Sequence, residues 1–178
     1  MNSLKKTILC LASALFVSAI ATGPVSAQTV GGGCVLEQTL LSARQVLRCG
    51  GGVTITAESG AQYTLLDRDG NGKADAANLR SKALLIDAPT GSLGKKGFAV
   101  TTPQAIAAVR GTRWAVDADG SKTSVFVATG RVSVRRTVGS GSVILGPGEG
   151  VDVEDTGPLI VKRWPAPRVA ALMARLGQ

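Results

Sequence analysis

Short apolar runs alternate with polar positions from about residue 53 to residue 153, and glycine-bearing turns separate them. In the 123–127 stretch, Val125 and Val127 fall on one side while Ser124 and Phe126 fall on the other, which is the two-residue period of a β-strand. Val132 and Val134 likewise oppose Arg131, Ser133 and Arg135. The pattern predicts strands over 53–57, 61–66, 83–86, 98–100 and 105–109, then over 113–116, 123–128, 131–134, 143–145 and 150–153. Asp119-Gly120, Thr129-Gly130 and Gly146-Pro147-Gly148 supply turn chemistry between them. The expected fold is mostly β, laid out as a β-sandwich or a short β-solenoid. No fixed-period repeat is visible, which weighs slightly against the solenoid.

The period changes at the C-terminus. Val169, Leu172, Met173 and Leu176 recur at helical spacing after Pro165 and Pro167, and proline fits a helix start. A short helix is expected within 165–178, with its apolar stripe docked on the β-domain rather than offered to a partner.

The opposite end reads as a secretory leader. Lys5 and Lys6 precede an apolar run from Ile8 to Ala21, and Val25-Ser26-Ala27 forms a small-residue cleavage site. The run is shorter than the roughly 20 residues that a membrane-spanning helix prefers. An uncleaved anchor stays open as the alternative; both place the bulk of the chain in the periplasm or outside the cell. Cys10 has no lipobox before it. The expected organisation is a signal peptide at 1–27, one β-rich domain at 28–164 and the helix at 165–178, with no transmembrane helix after cleavage.

Export changes the reading of charge and cysteine. The formal charge falls from +8 to +6 once Lys5 and Lys6 are removed. That balance suits acidic envelope polymers or lipid head groups without selecting either. The basic residues are scattered, with Arg135-Arg136 and Lys95-Lys96 only pairs, so no nucleic-acid partner is expected. Cys34 and Cys49 are the two thiols left in an oxidising compartment, which favours a disulfide between them. Zinc is the weaker alternative, since it usually takes four ligands and the chain has no histidine.

The ordered series Thr102-Pro103-x-Ala105, Val109-Arg110-Gly111-Thr112, Val125, Val127, Gly130, Val132, Val134 and Leu145-Gly146-Pro147-Gly148-Glu149 resembles the FecR domain of bacterial envelope regulators. The resemblance covers about a third of the chain, strongest over 98–153. It implies a non-catalytic interaction or signalling module whose partner is an envelope protein or receptor. The regulator that gives the family its name resembles a tripartite transducer with a cytoplasmic sigma-factor-binding segment. Here only Met1 to Thr7 precede the apolar run, so the expectation is the exported module alone, without direct control of a sigma factor. Gly111 permits a sharp turn between two strands. Arg110 and Thr112 have a structural reading, bridging that turn, and Trp114 has a packed one. As ligand- or partner-binding candidates the turn offers Arg110, Arg113 and Trp114.

A second candidate lies upstream. Asp67, Asp69, Asn71, Gly72 and Asp75 follow the opening of a calcium loop, with oxygen ligands at alternating positions. The twelfth position, normally a bidentate glutamate, is Asn78, so weak calcium binding through Asp67, Asp69, Asn71 and Asp75 stands against a plain polar hairpin turn.

Catalysis is not expected. Without histidine there is no Ser-His-Asp or Cys-His arrangement. Asp117 with Asp119, or Glu149 with Asp152, are carboxylate pairs of the kind used on glycosides, but both sit in polar, turn-like contexts. Gly31-Gly32-Gly33 and Gly50-Gly51-Gly52 lack the setting of a phosphate-binding loop. The rival function is cell-wall or polysaccharide binding; the plainer one is a structural envelope protein.

Overall fold

The computed structural model describes residues 28–37, 44–89, 91 and 97–178; the leader at 1–27 and the Lys95-Lys96 pair lie outside them. In chain order the elements are β1 (Gln28–Val30), β2 (Cys34–Glu37), β3 (Gln45–Cys49), β4 (Thr54–Ala57), β5 (Gln62–Leu66), β6 (Ala76–Ala88) and β7 (Phe98–Thr101). Then follow β8 (Ala105–Val109), β9 (Thr112–Asp119), β10 (Lys122–Thr129), β11 (Val132–Arg136), β12 (Ser142–Leu145), β13 (Glu149–Glu154), β14 (Lys162–Arg163) and helix α1 (Ala166–Arg175).

These strands join into one curled sheet, a half-barrel whose two walls share β6. The first part of β6 pairs with β5 on one side and, in parallel, with β7 on the other. Its second part pairs with β4 and β9. The corner falls at Lys82, which among the described residues is the non-glycine one with positive φ, at 65°. Such a conformation costs on the order of 1–3 kcal/mol and persists where the surroundings impose it. Here two ladders gripping the two halves of one strand do so.

Alternation fills the space between the walls. Leu84, Ile86, Trp114, Val116, Val125 and Val127 point inward from one wall, and Phe98, Val100, Val109, Val132 and Val134 from the other. This facing pair of walls around one core is nearer the sandwich of the two expected layouts. Ten predicted strands appear within β4 to β13, with β6 and β9 longer than the pattern suggested.

Cys34 and Cys49 stand opposite each other in the β2–β3 ladder and form a disulfide. Helix α1 starts at Ala166, with Pro165 as its cap. Leu172 and Leu176 are buried, and Val169 and Met173 pack beside them against Ala83, Leu85, Ala115, Phe126 and Trp164. The stripe therefore docks on the outer face of the β6–β9–β10 wall. Among the described residues no helix is long and apolar enough to cross a membrane.

Candidate functional site

The Thr102–Thr112 motif is built around a buried polar knot. The Thr102 hydroxyl bonds to both the carbonyl and the N–H of Ala105, at 3.1 and 2.9 Å, and lies 2.7 Å from the Thr123 hydroxyl. Thr123 donates to the Gln104 side-chain oxygen, whose amide donates to the Gly120 carbonyl. The turn between β7 and β8 is thus tied to the β9–β10 hairpin. A buried hydroxyl left unpaired costs roughly 1–3 kcal/mol, which accounts for threonine and glutamine on this interior face.

Gly111 turns β8 into β9 with φ of 69°, a conformation that a side chain would strain. Thr112 donates to the Arg131 carbonyl at 3.3 Å. The three candidate residues are separated: Arg110 precedes Gly111, and strand alternation on β9 sends Arg113 and Trp114 opposite ways. Arg110 is exposed and Arg113 half-exposed. Arg113 donates to the Gln178 side chain and lies 4.0 Å from the Asp87 carboxylate. Trp114 points the other way and is 0% exposed. It has no surface to offer a partner; its place is in the core, where its area is best spent. Among the described residues its indole N–H finds no acceptor.

The most ordered surface chemistry lies where α1 crosses its wall, and the sequence pattern did not disclose it. Asp152, Ser124, Asp117 and Ala83 stand side by side across β13, β10, β9 and β6. Arg168 donates to both oxygens of Asp152 and to Ser124, and Ser124 donates to Asp152 at 2.6 Å. One helical repeat further on, Arg175 makes paired bonds to Asp117, at 2.6 and 3.0 Å, and to Glu58, at 3.0 and 2.6 Å. Burial alone would raise the Asp152 pKa; the hydrogen bonds from Arg168 and Ser124 outweigh it and hold the carboxyl below its ordinary value. The same kind of pairing, to Asp117 and then Glu58, raises that of Arg175. Of the carboxylates considered as catalytic pairs, Asp117 and Asp152 are therefore occupied by arginines, and Glu149 accepts the Gly146 N–H at 2.7 Å.

Trp164 sits at the hinge between β14 and α1. One face stacks on Phe126, with ring centroids 5.3 Å apart, and the Arg168 guanidinium covers the other at 3.6 Å. Its edge lies directly on Gly150, where a Cβ would overlap the indole and stand 2.7 Å from the Val125 carbonyl oxygen. A shallow groove beside it is bordered by Gly150, Asp152, Glu154, Ile160, Lys162 and Trp164.

The acidic loop is the β5–β6 hairpin connection. Asp67 accepts the N–H groups of Asn71 and Gly72, at 3.1 and 2.7 Å, and Asn71 accepts that of Lys73 at 2.8 Å. The Gly72 bond is the main cause of a lowered Asp67 pKa. Asp69 joins them, accepting from Asn71 at 3.3 Å. Asp75 stands apart, because Arg68 holds it through backbone and guanidinium donors at 3.0 and 3.1 Å. The fold thus gathers Asp67, Asp69 and Asn71 and gives Asp75 a cation of its own. Among the described residues, no three carboxylate, cysteine or histidine side chains cluster with metal-site spacing.

The fold and its polar surface define a curled β-domain with a clamped terminal helix. The description "FecR protein" matches residues 39–133. That is more than half of the chain, and the chain belongs to the FecR family. The matched stretch contains the Thr102–Thr112 motif, begins well before it, and ends ahead of the Leu145–Glu149 turn. Two crystal structures of a "putative anti-sigma factor" from Parabacteroides distasonis ATCC 8503, at 1.65 and 2.50 Å resolution, share the fold. Each has a TM-score of 0.58 and 20% identity, over 83% of this chain and 64% of theirs. The present chain thus spans just under two thirds of their length. No curated protein matches it.

Proposed function

We propose that the protein is an exported, non-catalytic interaction and signalling module of the bacterial envelope that works through a protein partner. FecR family membership over residues 39–133 carries this reading. The fold shared with a protein described as an anti-sigma factor supports it. The Cys34–Cys49 disulfide supports placement in the periplasm or outside the cell. Arg110 and Arg113, presented on either side of the Gly111 turn, are the contact residues of the proposal; Trp114 anchors that turn from inside. Calcium enters as a stabiliser of the β5–β6 loop through Asp67, Asp69 and Asn71.

Glycan binding has weaker support. Among the described residues neither tryptophan offers a free face: Trp114 is buried, Phe126 and Arg168 cover Trp164, and half-buried Tyr63 has its hydroxyl held by Gln45. Sugar recognition commonly uses such a face.

In-cell cross-linking of the tagged protein in its own envelope tests the reading. Capture of a receptor, transporter or membrane regulator is expected, with capture weakened by Arg110→Ala at unchanged melting temperature. Reproducible absence of a protein partner, with a working positive control, removes the signalling proposal. A lowered melting temperature with unchanged capture makes Arg110 a structural residue.

A further inference from the structure

The shared strand β6 leaves a gap in the sheet. On one flank it pairs with β7 through Ala76, Ala77 and Asn78, and with β9 from Lys82 onward. Leu79, Arg80 and Ser81 have no ladder partner on that flank, because the chain peels away from β6 at Thr101 to make the Thr102-Pro103 turn. The result is a slot of about 240 Å³ lined by Asn78, Leu79, Arg80, Thr101, Thr102 and Pro103.

Its polar content is one-sided. Asn78 and Arg80 lie two residues apart on β6 and share a face, and Thr101 stands opposite Asn78 in the ladder. Among the described residues none of these three side chains has a hydrogen-bond or ion-pair partner, whereas Thr102 behind them is fully engaged in the buried knot. No carboxylate lines the slot. A guanidinium, an amide and a hydroxyl therefore border the slot as donors, with Pro103 as an apolar wall, while the Leu79 side chain points the other way into the core. A carboxylate on a short side chain is the group that fits: planar, accepting on both oxygens, and matched to arginine in geometry and charge.

We infer that this slot is a recognition site for an acidic side chain, Asp or Glu, carried by an extended segment of a protein partner. The inference rests on the signalling reading above and names a contact within it. One observation selects a polypeptide. The unpaired stretch of β6 offers main-chain groups at the same place, as strand-adding peptides require.

The test is a titration of the isotope-labelled full chain with a synthetic Glu-Ala repeat peptide, read by amide and Arg80 side-chain N–H shifts in NMR. The expected result is saturable movement of residues 78–80 and 101–103, weakened about tenfold by Arg80→Gln and by raised salt. Arg80 is exposed, so the variant keeps the wild-type melting temperature. Absence of saturable shifts up to millimolar peptide, or equal binding by the variant, overturns the site. So does polygalacturonate that moves these residues while the peptide does not. In cells, a photo-cross-linker at Arg110 that captures a partner, with one at Thr101 that does not, removes the slot and leaves the signalling reading standing. Capture at neither position removes both.

Discussion

Replacing Gly150 with alanine adds one methyl group at the point where the helix hinge meets the sheet. The new Cβ overlaps the Trp164 indole and lies 2.7 Å from the Val125 carbonyl oxygen, so it has a rigid ring on one side and backbone on the other. Neither can yield by rotating a flexible side-chain end. Overpacking of this kind costs typically 1–3 kcal/mol. If the indole moves to relieve the overlap, it leaves Phe126 and Arg168, contacts worth about 0.5–1.5 and 0.5–2 kcal/mol. The expected loss is about 2–4 kcal/mol, a fall in Tm of roughly 5–15 °C for a domain of this size. Displacement of Trp164 also shifts tryptophan emission to the red, against the constant signal of buried Trp114. Gly31→Ala is the control, since its Cβ meets nothing within 4 Å; it leaves both readings unchanged. A Gly150→Ala protein with wild-type Tm and emission would refute the close packing of Trp164 on β13.

Three other outcomes are expected. The Asp152 carboxyl has a lowered pKa in the fold, so its contribution to helix docking is complete above the ordinary aspartate value of about 3.9 and fades as pH falls through the lower folded value. Proteolysis at the hinge should increase across that acid window in wild type, and Asp152→Asn should be equally sensitive on both sides of it. Reduction of Cys34–Cys49, or replacement of both by serine, should cost about 3 kcal/mol, given the 15-residue separation; an unchanged denaturation midpoint counts against that contribution. Millimolar calcium should raise the Tm of wild type and not of Asp67→Asn. Equal curves with calcium and chelator would leave the β5–β6 loop a plain turn.

Strand alternation made much of the architecture legible. It placed Val125, Val127, Val132 and Val134 inward, and the spacing of Val169, Leu172, Met173 and Leu176 anticipated a docked helix. The same rule separates Arg113 from Trp114, since neighbours on a strand face opposite ways. The true extent of β6 was hidden because Asn78, Arg80 and Lys82 interrupt its apolar pattern at a bend. The strands before residue 50 were hidden by glycines and by a core contribution that needs partners elsewhere. The helix clamp was out of reach for another reason: Arg175 meets Glu58 across a separation of 117 residues. No local period encodes that meeting; the ladders of β4, β6 and β9 create it.

Membership of β6 in both walls has a mechanical consequence. The domain has no plane along which one layer can separate from the other while each keeps its own core. Breaking either wall takes hydrogen bonds from the same strand, so the amides of β6 outside the 79–81 gap should be the last to exchange with solvent. A pull or push delivered at one edge is then shared by the whole sheet. Partner engagement would be transmitted by the domain moving as one stiff body, with the proline-flanked helix as the piece most readily released.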